Sequence, residues 1–88
     1  MSARITEMKS RLWALEPISL DIIDESHKHA GHAGARDGGG HYVLHIASAQ
    51  FIGKNTVARH RMIYSALGEM MKREIHALTI LACTPDEI

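Results

Sequence analysis

The chain has 88 residues, enough for one domain with a modest core and too few for a monomer to enclose a deep substrate cavity. Ten Lys and Arg balance ten Asp and Glu, which argues against a protein whose main task is to grip nucleic acid non-specifically, since that needs excess cations. One cysteine, Cys83, excludes an intramolecular disulfide and fits a reducing compartment such as the cytoplasm, and no apolar run is long enough to be a signal peptide or to span a membrane.

Ser2 is a candidate N-cap for a first helix, on which Ile5, Met8, Leu12 and Leu15 form one apolar stripe. Glu16-Pro17 ends it, because a residue before proline is pushed out of the helical region. The spacing predicts a strand over Ser19 to Glu25, with Leu20 and Ile22 on one face and Asp21, Ile23 and Glu25 on the other. His27 to Gly40, HKHAGHAGARDGGG, holds five of the seven glycines and no large apolar residue. It reads as an exposed loop, long enough to suggest function. A second strand, His41 to Ser48, alternates Tyr42, Leu44 and Ile46 with His41, Val43, His45 and Ala47, so the loop closes a long hairpin. Phe51-Ile52-Gly53 turns the chain, and Asn55 or Thr56 caps an amphipathic helix from Val57 to about Arg73. Its apolar half is Val57, His60, Ile63, Tyr64, Ala66, Leu67, Met70 and Met71. A last strand, Ala77 to Cys83, and a turn at Thr84-Pro85-Asp86 complete the order α-β-β-α-β, one domain over residues 1–88.

Histidine is the unusual count, at seven. Three of them, His27, His29 and His32, fall in the glycine-rich loop, where imidazoles on a pliable backbone could ligate a metal, or simply make the loop polar. A closed zinc site would want thiolates, and HKHAGH lacks the general-base Glu of a metalloprotease. His76 stands between the last helix and the last strand, where it could cap a helix-end carbonyl. His60 falls in the apolar half of the main helix and reads as a packed histidine with a hydrogen-bond partner; His45 reads as structural or surface. Lys54, Arg59 and Arg61, with Lys72 and Arg73, make the main helix locally basic, which suits phosphate contacts or a solvated face. No nucleophile-base pair, P-loop or dinucleotide fingerprint is present, so an enzyme is not expected.

The runs DESHKHAGHAG, HYVLHIAS, FIGKNTVARHRMIYSALGEMM and IHALTILACTPDE together resemble the BolA family, in the right order and over nearly the whole chain. The resemblance implies an α+β, class II KH-like fold, α-β-β-α-β, with a three-stranded mixed sheet and the helices on one face. It implies a monothiol glutaredoxin as partner, with a [2Fe-2S] cluster shared between the two proteins and glutathione. The ligands implied on this chain are the histidine before the last strand, His76, and one from the loop, which alignment on Asp24-Glu25-Ser26 makes His29, with His32 as a nearby substitute. The unpartnered protein is expected to be a monomer or weak dimer without membrane attachment. Some BolA relatives act in stress response and morphology as transcriptional regulators, which would make DNA the alternative partner, met by Lys54, Arg59 and Arg61. Two features depart from the family. Ile52 stands where an acidic residue is common, and Gly53-Lys54-Asn55-Thr56 lacks the second glycine with which KH modules clamp RNA. HKHAGH could also buffer divalent metal by itself.

Overall fold

A computed structural model describes residues 3–26 and 40–88. Helix α1, Ala3–Leu12, is continued by a 3-10 turn at Trp13–Leu15. Met8 and Leu12 of the predicted stripe are fully buried, Leu15 is buried and Ile5 packs against them. Ser2, the expected cap, lies outside the described residues. Glu16 ends the element with φ 52° and ψ 54°, a left-handed conformation from which Pro17 leads the chain to the sheet.

Strands β1 (Ser19–Asp24), β2 (Gly40–Ala47) and β3 (Ile75–Cys83) form one sheet in the order β1-β2-β3. β1 pairs antiparallel with β2, as the predicted hairpin requires, and β3 runs parallel to β2. Helix α2, Thr56–Leu67, provides the crossover to β3. Asn55 caps it as expected, its side chain accepting from Ala58 N–H at 2.8 Å. The α-helix stops six residues short of the expected Arg73, because Gly68 takes φ 57° and the chain tightens into a 3-10 stretch, Gly68–Lys72.

Both helices lie on one sheet face. Ile22, Tyr42, Leu44 and Ile46 point into the core with Phe51, Ile63, Leu67 and Met70. The opposite face carries Asp21, Ile23, His45, Thr79 and Leu81, all exposed. Two members of the expected apolar half of α2 are exposed instead, Val57 at 58% and Tyr64 at 41%, while Met62 packs against the core. The helix is rotated toward Met62 because Ile63 and Leu67 are the residues that reach the core. Ser48 ties the layers together: its buried hydroxyl donates to Leu15 O and accepts from Gln50 N–H.

Candidate functional site

The start of β3 is irregular. Gly40 pairs with Ile75, but His41 pairs with Ala77, so His76 is an extra residue in the strand, a β-bulge. Ile75 is 3% exposed and Leu78 also packs on the core, although they are three apart and strand side chains alternate with period two. The bulge absorbs the mismatch. It leaves His76 exposed, its ring centroid 5.1 Å from that of His41 at 46° between planes. His76 is therefore the second residue of β3, and the last helical turn ends at Lys72. It is not the helix-end cap that the sequence allowed.

Both flanks of segment 27–39 are fastened beside this pair. Ser26 N–H donates to Asp24 Oδ1 at 2.9 Å, and Ser26 Oγ accepts from His41 N–H at 3.0 Å. Glu25 N–H donates to His41 O at 2.8 Å, and Gly40 N–H donates to Glu74 O at 2.9 Å. Gly40 is itself demanded by close packing: a Cβ there would lie 2.5 Å from Cε2 and 2.6 Å from the hydroxyl of Tyr42. The expected loop ligands His29 and His32 lie outside the described residues. Among the described residues no cluster of three or more His, Cys, Asp or Glu side chains could hold a metal ion. The exposed His76 belongs to no such cluster among these residues. Cys83 cannot join it, because it pairs with Ala47 at the other end of β3, about 23 Å away at ~3.3 Å per residue.

The basic residues near α2 differ in their surroundings. The Arg59 side chain is tied to the end of the chain: Nη1 donates to Glu87 Oε1 at 2.8 Å and to Ala82 O at 3.0 Å, and Nε donates to Lys54 O at 2.8 Å. The Arg59 hydrogen bond, then that from Thr84 N–H, hold the Glu87 carboxyl down to about 2, and Glu87 in turn raises Arg59. Lys54 and Arg61 are exposed. His60 is half-buried and meets Tyr64 edge-on, with ring centroids 6.3 Å apart. The hydrogen-bond partner expected for it is absent among the described residues. His45 lies on the exposed face opposite Asp21, as a surface residue. Sequence reasoning missed His41 and Gly40 as parts of the site, because their place beside His76 comes from the pairing of β2 with β3; the odd spacing of Ile75 and Leu78 was a signal for the bulge at His76 alone.

The fold is shared with known proteins. A family model described as BolA-like protein matches residues 12–87. SufE-like protein 1, chloroplastic/mitochondrial, of Arabidopsis thaliana is 46% identical over 79 residues, covering 84% of this chain and 21% of that protein. Protein BOLA1, chloroplastic, of the same plant is 42% identical, covering 96% of this chain and 55% of that protein. The chain thus spans about a fifth and about half of the length of these two relatives. The DNA-binding transcriptional regulator BolA of Escherichia coli is 36% identical over 84% of this chain and 68% of its own length. Among solved structures, the BolA domain of SufE1 from Arabidopsis thaliana superposes with a TM-score of 0.86 at 39% identity, covering 100% of this chain and 99% of that one. The BolA1 protein of Mus musculus superposes with a TM-score of 0.82 at 32% identity, covering 99% and 69%. With most of its length matched by the family model and its α-β-β-α-β topology shared with solved members, this chain belongs to the BolA family.

Proposed function

We propose that this chain is a non-enzymatic adaptor that binds a monothiol glutaredoxin and takes part in [2Fe-2S] cluster binding and trafficking, and so in iron or redox homeostasis. The observation that carries the proposal is the β3 bulge, which presents His76 to solvent at the place where both flanks of the histidine-rich segment are fastened. One imidazole there, with a second from His29 or, failing it, His32, is half of a shared ligand set; the partner and glutathione supply the rest. Compared with an all-thiolate set, imidazole ligation raises the potential of a cluster and makes its retention sensitive to protons. The protein's own part is to hold His76 accessible, and to keep the donor segment anchored through Ser26 and Gly40. The chain's family is not a known enzyme family, which agrees with a binding role. We place the adaptor in the cytoplasm on its single cysteine; fractionation of the native protein tests this.

The test is anaerobic co-purification with a monothiol glutaredoxin and visible circular dichroism of the complex. His76→Ala should change or abolish the heterodimer cluster spectrum, and an unchanged spectrum removes His76 as a ligand. The alternative, a DNA-binding regulator of stress response and morphology, is favoured by the likeness to the DNA-binding transcriptional regulator of Escherichia coli. It is weakened by Arg59, whose guanidinium is engaged with Glu87 and Ala82. A gel shift on promoter DNA decides: no binding at ~50 mM salt, where phosphate contacts are strong, excludes it.

A further inference from the structure

The sheet has two edges, and they differ in kind. β1 is six residues long and carries Asp21 and Asp24. Such charges guard an edge against pairing with another strand. β3 is nine residues long, IHALTILAC, with no Asp, Glu, Lys, Arg or Pro. Its backbone polarity follows from the ladder. Cys83 O accepts from Ser48 N–H, so Cys83 and, by alternation, Leu81, Thr79 and Ala77 direct their N–H and C=O groups toward β2. Leu78, Ile80 and Ala82 direct theirs outward. The carbonyl of Ala82 is covered by Arg59 Nη1 at 3.0 Å. Among the described residues, the outward groups of Leu78 and Ile80 have no protein partner.

The same segment is self-complementary. If two β3 strands are laid antiparallel about Thr79, Leu78 of one copy and Ile80 of the other form narrow, doubly hydrogen-bonded pairs on each side of the centre, using the groups left open. On the exposed face Thr79 then meets Thr79, and Ala77 meets Leu81, which is 54% exposed. Apolar and Thr–Thr neighbours are favourable cross-strand pairs, and no like charges oppose each other. The Arg59 guanidinium closes the edge beyond Ile80, which limits pairing to this central stretch and fixes its register. We propose that the outer edge of β3 is an interface with a second copy of this chain, pairing antiparallel about Thr79 to make one continuous six-stranded sheet. This interface uses the middle of β3, independently of any partner bound at His76. It is small, so the dimer is weak and concentration-dependent.

Sedimentation equilibrium of the full chain from roughly 10 µM to 1 mM, a range that spans weak association, tests it. The average mass should climb toward twice that of the monomer. Thr79→Lys, on the exposed face, should remain monomeric, because two ammonium groups would meet at the axis. Asp21→Lys, on the β1 edge, should still dimerise. A wild-type chain that stays monomeric throughout, a Thr79→Lys chain that dimerises, or loss of the dimer in Asp21→Lys overturns the proposal. Amide exchange of the wild type provides a readout that needs no variant. The Leu78 and Ile80 amides should slow as concentration rises, and concentration-independent exchange at both sites overturns the interface.

Discussion

Gly40→Ala isolates the close packing beneath the candidate site. The glycine N–H that donates to Glu74 O at 2.9 Å is kept in the alanine variant, so only the added methyl acts. That methyl would lie 2.5 Å from Tyr42 Cε2 and 2.7 Å from Cζ, far inside van der Waals contact. Tyr42 is 3% exposed in a packed core, so its ring has nowhere free to swing. Overpacking of this kind costs about 1–3 kcal/mol. In a domain of this size each kcal/mol lowers Tm by about 4–8 °C. Urea denaturation should show a lower midpoint with an unchanged m-value, the sign of a change in stability alone. A double-mutant cycle with Tyr42→Leu assigns the cause. Removing the ring removes the clash, so Gly40→Ala should cost markedly less in that background, and the two changes should not add. A Gly40→Ala variant within ~0.5 kcal/mol of wild type, the range of an unremarkable surface change, or strict additivity with Tyr42→Leu, would refute the argument.

Three further outcomes are expected. Ser26→Ala removes the acceptor for His41 N–H and should cost about 1 kcal/mol in urea denaturation. Ile63→Ala, at a fully buried position of α2, should cost about 2–5 kcal/mol, whereas Val57→Ala, at 58% exposure, should stay within ~0.5 kcal/mol. The Glu87 carboxyl is held at about 2 in the folded chain, against an ordinary value of 4.5. Its stabilisation is therefore complete above pH 4.5 and is lost as pH falls toward 2. Tm measured across that window should fall less steeply in Glu87→Gln than in the wild type, and parallel curves would show that the Arg59–Glu87 tie contributes nothing.

The sequence made most of the fold legible because its signals were local. The Ile5-Met8-Leu12-Leu15 stripe, the Asn55 cap and the alternation from Tyr42 to Ile46 each depend on residues close in the chain, and each reappears in the structure. The misreadings came from tertiary effects. The apolar half assigned to α2 included Val57 and Tyr64, because a helical wheel shows hydrophobicity and not which arc faces the sheet. The overlong α2 passed through Gly68, an exposed glycine that takes φ 57° and caps the helix, because the apolar Met70 and Met71 beyond it continue the helical spacing. The tie of Arg59 was not legible either, since nothing in the RHR run shows that Glu87, 28 residues later, folds back onto it. The proximity of His41 to His76 depends on the pairing of β2 with β3, which no local pattern encodes.

The bulge explains why the exposure of His76 does not depend on its being histidine. A regular strand that buries Ile75 would bury Ala77 and turn Leu78 to the exposed face. Here Ile75 and Leu78 both lie against the core, so one residue between them must be accommodated outside the ladder. On the β2 side, Gly40 holds the register by bonding to Glu74 O while sitting against the Tyr42 ring. Burial of apolar side chains and close backbone approach therefore set the irregularity, and the residue in the bulge is left for other uses. Two consequences follow. Replacing His76 removes an exposed imidazole without removing the force that shapes the strand, so His76→Ala should keep its fold and melt close to the wild type. Changing Leu78 to a polar residue should instead release the bulge and re-aim position 76 even though its histidine remains. If His76→Ala and Leu78→Thr both lost the cluster signal while only the second shifted Tm, ligand and frame would be separated; equal loss of stability in both would show that the imidazole itself holds the strand in shape.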